Sequence, residues 1–270
     1  MQKSSYFPQN KFSDKQHPFG TLGNEVEYAI RNDYDVKIII TSHNSKPGLG
    51  KTTLAIRMSR VFDPHGWNAR DKGFQDLYSY QEAYRDVPPG SVLQFEELEQ
   101  SADNRRSMSR GNVDLSHVWA TERFRNVVTI CTLPTVSMLD NRMLELSDYW
   151  INVMRRGVAH PYRVLVNDFN GKIIRNRIND ETIRFEDLPE GDDDYEYLKQ
   201  VKKEQSTLQR EYYRQDEVDK KIRQAKRKKY HETRNEFIIA LREYGMTYDE
   251  IGNLECVDLS RQRVCQIIRG

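Results

Sequence analysis

Up to about residue 185 the chain alternates short apolar runs with longer polar stretches, and beyond it the pattern changes kind. VKIII, from Val36 to Ile40, is a short β-branched apolar run, the mark of a strand covered on both faces. A glycine-rich turn follows. The next segment, TTLAIRMSRVF, sets Leu54, Ile56, Met58 and Val61 near helical spacing and predicts a helix. Further strands are predicted at Ser91 to Phe95, behind the turn at Pro88 to Gly90, and at Asn126 to Leu133. Residues 98–124 between them are polar and include a predicted helix leading to HVWATERF. Asp148 to Met154 reads as another strand. Tyr162 to Ile178 reads as a hairpin, with Asn170-Gly171 supplying the positive φ of a type I′ turn. Strands alternating with helical stretches predict an α/β fold, here a sheet with flanking helices and an antiparallel edge.

Residues 1–34 are expected to be an irregular N-terminal arm and residues 35–185 the sheet domain. The acidic stretch EDLPEGDDDYE closes that domain. From Asp194 to Tyr230 the chain is densely charged and lacks Gly and Pro, so residues 186–231 are expected to form a charged helical connector. Residues 232–270 form a separate all-α module. ETRNEFIIALREYG gives a helix that stops at Gly245, and Thr247 with Glu250 has the spacing of a capping box. Ser260 caps a last helix that turns Val264, Ile267 and Ile268 inward.

A length of 270 residues allows one or two domains. Its 42 basic and 41 acidic residues leave a net charge of +1, so attraction to a polyanion is a local matter. The basic run Lys220 to Lys229 is one such place. No stretch approaches the roughly 20 apolar residues of a membrane span, and the polar start lacks a secretory pattern, so a cytoplasmic protein without a membrane span is expected. Cys131, Cys256 and Cys265 are odd in number and widely spaced, which argues for reduced thiols over a disulfide framework or zinc knuckle.

The chemistry concentrates in Ser45-Lys46-Pro47-Gly48-Leu49-Gly50-Lys51-Thr52-Thr53, which matches GxxxxGK[ST] except that Ser45 stands at the first glycine. An apolar strand delivers a loop whose backbone N–H groups converge on phosphates, and the following helix adds its positive N-terminus. Lys51 is then placed for the β/γ-phosphates, the Thr52 hydroxyl for Mg²⁺, and Thr53 for the α-phosphate of ATP. Ser45 sits where the turn calls for φ > 0, a geometry that serine tolerates poorly. The strand SVLQF ends in Glu96 and Glu97. The first carboxylate is assigned to the metal, with one methylene more than the usual Asp, and the second to orienting the attacking water. Thr132, at the end of the predicted strand NVVTICTL, is a candidate to sense the γ-phosphate.

These features, followed by SMS at Ser107 to Ser109, Asn112, Arg123, Thr132 with Pro134, and Asp140 with Arg142, resemble P-loop ATPases of the FtsK/HerA and zonula-occludens-toxin-like branch across residues 35–155. The resemblance implies a RecA-like P-loop NTPase core in a homo-oligomeric ring, ATP bound between subunits, and DNA moved by the assembly. It also makes Arg105, Arg106, Arg123 and Arg142 candidates for an arginine acting in trans, with Arg123 and Arg142 as the site candidates and the choice left open.

In the last module the order T-x-x-E-I-G, then LS-x-x-R-V-x-Q-I-I, resembles the helix-turn-helix of sigma-factor-like and resolvase-type DNA binders. The turn Glu255 to Asp258 is slightly longer than in the tightest versions and lacks glycine. The resemblance implies double-stranded DNA as partner, with Ser260, Arg261, Gln262 and Arg263 at base edges and Arg269 on phosphate. The expectation is an ATP-hydrolysing, DNA-binding protein of a mobile element. A nucleotide-gated regulator or replication initiator is the alternative, and a non-hydrolysing oligomer is a third possibility.

Overall fold

The computed structural model describes residues 17–96, 115–139, 141–167 and 169–269, with side chains in the long helix described outside 208–213 and 215–217. The chain divides into one compact unit ending at Lys203 and another from Glu204 to Gly270.

In the first unit the elements run α1 (Gly20–Arg31), β1 (Val36–Ser42), α2 (Lys51–Phe62), α3 (Ala69–Lys72), β2 (Gly73–Phe74), α4 (Leu77–Asp86) and β3 (Val92–Phe95). Then come α5 (residues 115–121), β4 (Val128–Thr132), α6 (Asn141–Leu146), β5 (Tyr149–Arg155), β6 (Val158–Val166), β7 (Ile173–Arg177), β8 (Ile183–Arg184) and the start of α7 (Asp193–Glu243). The fold is mixed α/β, with a central sheet ordered β2-β3-β4-β1-β5-β6-β7 and β8 paired to β6. Pairings from β2 to β5 are parallel, and β6 turns the remaining edge antiparallel.

Every residue of β1 is buried, as a central parallel strand requires. On one face Leu22 and Val26 of α1 and Leu54, Ala55 and Met58 of α2 join Ile38, Ile40 and Ile151 in one core. On the other face Tyr80, Tyr84, Leu115 and Trp119 cover Ile39, Leu93, Phe95 and Cys131. Lys37 is also buried on this second face. Its ammonium is held by Asp35, by the Tyr84 hydroxyl at 2.9 Å, and by the Val127 carbonyl at 3.3 Å, and it lies 5.1 Å from the Tyr84 ring centre. Burial pushes the Lys37 pKa down while Asp35 opposes that shift.

Three sequence expectations change. Within the supposed irregular arm, Gly20–Arg31 forms a helix because Leu22, Val26 and Ala29 share one face and find a core to bury it. The β6–β7 connection is not a two-residue type I′ turn. Gly171 has φ +66, but Asn170 is not in the left-handed region that such a turn needs at both positions. Instead Asn167 closes a wider loop, its carbonyl accepting from Gly171 N at 2.8 Å and its side chain from Phe169 N at 2.9 Å. Finally, the connector and the first helix of the C-terminal module are one element, α7. No Gly or Pro interrupts it before Gly245, whose φ of +96 accompanies its stop.

The second unit holds the rest of α7, α8 (Tyr248–Gly252) and α9 (Arg261–Arg269), packed around Ile238, Ile251, Val257 and Val264. The capping box forms: Thr247 N donates to Glu250 Oε2 at 2.7 Å and Glu250 N to Thr247 Oγ1 at 3.3 Å. A Cβ on Gly252 would lie 2.4 Å from the Leu259 carbonyl, so only glycine lets the chain cross there. Among the described residues no helix is long and apolar enough to cross a membrane.

One buried ionisable group links packing to pH. His17 stacks on Phe62 with ring centres 5.5 Å apart, and its Nδ1 accepts from Phe19 N at 3.0 Å. Burial lowers its pKa, partly offset by Glu27, so the folded state holds the proton less tightly than the unfolded chain. The resulting stability is full above the ordinary histidine value of about 6.5 and is lost as pH falls through the lower folded value. Denaturation midpoints should drop more between pH 7.5 and 5 in the native protein than in His17→Gln. Equal drops would reject this account.

Candidate active site

The loop after β1 passes through a 3-10 turn, His43–Ser45, and enters α2 at Lys51. Ser45 has φ +56, the left-handed geometry expected where a glycine usually stands. Gly48 and Gly50 follow at φ +73 and +92. A Cβ at Gly48 would meet nothing within 4 Å, so backbone conformation alone demands glycine there. At Gly50 a Cβ would also come within 3.1 Å of the Phe185 ring. Residues 44–48, including Lys46 and Pro47, are exposed, Leu49, Lys51 and Thr52 are half-buried, and Thr53 is buried.

A line of hydrogen bonds, part-buried at Thr52 and buried beyond it, ties this loop to β3. Thr52 Oγ1 donates to Glu96 Oε2 at 2.7 Å, Gln94 Nε2 donates to Glu96 Oε1 at 2.7 Å, and Ser59 Oγ donates to Gln94 Oε1 at 3.2 Å. Ser59 lies two turns after Thr52, so both hydroxyls face β3. The Glu96 backbone is fixed as well, its N–H donating to the Phe74 carbonyl at 2.8 Å. Glu96 is 5% exposed, and its carboxylate is served by donors on both oxygens. Lys51 Nζ donates to Ser42 Oγ at 3.4 Å.

Thr132 ends β4, opposite Ile40 in the register with β1, and is buried. Because β4 lies between β1 and β3, it sets Thr132 between the strand that delivers the loop and the strand that delivers Glu96. Lys51, Thr52, Glu96 and Thr132 therefore gather at the C-terminal ends of parallel strands, where open α/β sheets leave a crevice for ligands.

The paired Thr52 and Glu96 oxygens suit a small hard cation such as Mg²⁺. Among the described residues there is no cluster of three His, Cys, Asp or Glu that could cage a metal. A hydroxyl and a carboxylate oxygen are ligands that Mg²⁺ takes together with phosphate and water.

No family model matches the chain, and no curated protein matches it. Among solved structures, the N-terminal domain of zonular occludens toxin from Neisseria meningitidis is 13% identical, with a TM-score of 0.33 over 55% of this chain and 95% of that one.

Glu97, Arg105, Arg106, Ser107 to Ser109, Asn112 and Asp140 lie outside the described residues. Arg123 and Arg142 are exposed, on a 3-10 turn and on α6. In the second unit Ser260, Arg261, Gln262, Arg263 and Arg269 are all exposed at or on α9. Ser260 Oγ accepts from Arg263 N at 3.4 Å, and the Arg261 guanidinium lies 3.2 Å from Asp249.

Sequence reasoning missed Gln94, Ser59, Ser42 and Lys202. The signals were a single amide within SVLQF and a serine seven residues after Thr52. Lys202 stands at the solvent rim of the first unit and interacts electrostatically with both Glu96 and Lys51. Partial desolvation lowers its pKa, Glu96 raises it, and Lys51 lowers it.

Two stability changes follow. Gln94→Ala strips a buried donor from Glu96 and should cost about 1–3 kcal/mol in denaturant unfolding; a loss within experimental error would show the bond line to be dispensable. Ser45→Gly relieves a left-handed serine and should leave stability unchanged or raise it by up to about 1 kcal/mol. A clear loss would show that the loop does not need this φ.

Proposed function

We propose that the first unit is a RecA-like P-loop ATPase and that the second is a helix-turn-helix module for double-stranded DNA. Together they would form an ATP-dependent DNA-binding protein of a mobile element, acting in packaging, transfer, partition or replication. The observation that carries the enzymatic reading is the 2.7 Å bond from Thr52 to Glu96, which joins the loop to the acidic strand end.

In this reading the backbone N–H groups between Ser45 and Thr53, Pro47 excepted, cradle the phosphates and Lys51 neutralises the β/γ-oxygens. Thr52 and Glu96 would hold Mg²⁺, which when bound would offset charge on the phosphoryl oxygens. Glu97 orients the attacking water, and Thr132 monitors the γ-phosphate from β4. A second copy of the chain would supply Arg123 or Arg142 to the same phosphates. In the second unit α9 enters the major groove, with Ser260 to Arg263 toward bases and Arg269 toward phosphate. The exposure of that whole helix start also favours a nucleotide-gated regulator that reads one DNA sequence. Turnover stimulated by any duplex supports the motor, whereas slow turnover with tight binding at one site supports the regulator.

Lys51→Ala should lower ATP hydrolysis at least about 100-fold, with or without duplex DNA. Equal activity in the two proteins rejects the site. Replacing Arg263 and Arg269 with Ala should weaken duplex binding about tenfold or more and leave ATP affinity unchanged; unaltered DNA affinity removes the assignment of α9 as reader.

A further inference from the structure

The first turns of α7 are fastened to the sheet domain at three successive points. Arg60, near the end of α2, donates to Asp192 at 2.8 Å and to Asp194 at 3.0 Å, and Asp194 accepts from Ala69 N at 2.7 Å. One turn on, Leu198 is 3% exposed within the main core, and its carbonyl accepts from Gln75 Nε2 at 2.9 Å. A Cβ on Gly73 would lie 3.0 Å from Leu198 Cδ2, so the helix rests directly on β2. β2 pairs with β3 in the register Gly73 to Gln94 and Phe74 to Phe95. The next step along β3 is Glu96.

Lys202 is four residues beyond Leu198 and so lies on the same face of α7, one turn nearer the strand ends. It interacts electrostatically with the first residue of α2 and with the strand-end carboxylate, Lys51 and Glu96. In the nucleotide reading these two residues would flank the outer phosphates. A cation placed there meets net charge near zero while the site holds only Lys51 and Glu96, and strong negative charge once a triphosphate enters.

We propose that Lys202 is a specificity-determining residue of the phosphate site, a counter-charge to Glu96 in the free protein that contacts the terminal phosphoryl group of a bound nucleoside triphosphate. This rests on the reading of residues 45–53 as a nucleotide loop and adds to it a means of telling triphosphate from diphosphate. The lysine belongs to the helix that begins at Asp193 and ends at Glu243, so the γ-phosphate would be read by the element that leads out of the ATPase unit. Arg60, Gln75 and Leu198 are the positioning residues, since they fix where that turn of helix lies. A charge-assisted contact made to the triphosphate and missing from the diphosphate should appear as a difference between the two affinities.

The test measures Mg-ATP and Mg-ADP affinities of the full chain by fluorescence of a labelled nucleotide, for the native protein, Lys51→Ala, Lys202→Gln and Lys202→Arg. Lys202→Gln should weaken Mg-ATP about tenfold and Mg-ADP less than about twofold, and Lys202→Arg should restore most of the difference. The unfolding temperature of each variant without nucleotide, measured alongside, tells a loss of fold from a loss of the phosphate contact. If Lys202→Gln changes neither affinity, or lowers both equally, the assignment of Lys202 is overturned while the loop reading stands. If the native protein shows no Lys51-dependent nucleotide binding, both fall together.

Discussion

The carboxylate of Glu96 is nearly enclosed by protein, and its placement governs how α2 can sit on the sheet. A buried carboxylate is tolerable only when donors reach its oxygens, and here they come from Thr52 and Gln94, with Ser59 satisfying Gln94 in turn. The line runs along two turns of α2, so the helix can neither rotate nor slide without stranding a buried polar group. The same line sets the loop before the helix. Once Thr52 is bonded to β3, the chain between Ser42 and Lys51 must turn back on itself, and the left-handed residues Asn44, Ser45, Gly48 and Gly50 provide that turn.

The opposite end of β1 carries a second polar centre of a different kind. Lys37 is buried with Asp35 and Tyr84, and its ammonium faces the rings of Tyr84 and Trp119. Asp35 is tied further, accepting from Tyr84 and from Val127 N at 2.8 Å. This arrangement pins the start of β1 against β4 and α4, whereas at the far end of the strand Ser42 Oγ accepts from Lys51 Nζ of α2. Between Lys37 and Thr41 the strand is apolar, Ile38 to Ile40. A strand fixed by hydrogen bonds at both ends and by packing in the middle gives the loop a rigid base, which a phosphate-binding backbone needs for its N–H groups to converge.

α7 connects chemistry to architecture in another way. Its first turn is rich in acids, which favours the positive end of the helix, and those acids also receive Arg60 and the Ala69 amide. Leu198 then supplies the one deeply buried side chain of that region of the helix. Farther along, α7 contributes Ile238 to the core of the second unit. A densely charged helix with few apolar positions thereby gains its support near its two ends, through Leu198 in one unit and Ile238 in the other.

How much could be read beforehand differs from element to element. The central strands, the loop and α2, the stop at Gly245 and the capping box at Thr247 were all readable, because each depends on local periodicity or on a residue's own backbone preference. Ser45 is the clearest case: its required left-handed φ follows from its place in the loop. The helix Gly20–Arg31 was not readable, since its few apolar residues signal a face only when a core exists to receive them. The β6–β7 loop escaped because Asn167 took hydrogen bonds that a tight turn at Asn170-Gly171 would have used otherwise. Gln94, Ser59 and Lys202 belong to the same group. Each acquires its role from a neighbour 35 to 106 positions away, by the separations Ser59 to Gln94 and Glu96 to Lys202. Which backbone shapes the chain can adopt is written residue by residue; which polar groups must answer one another is settled only when strands and helices close together and exclude water from between them.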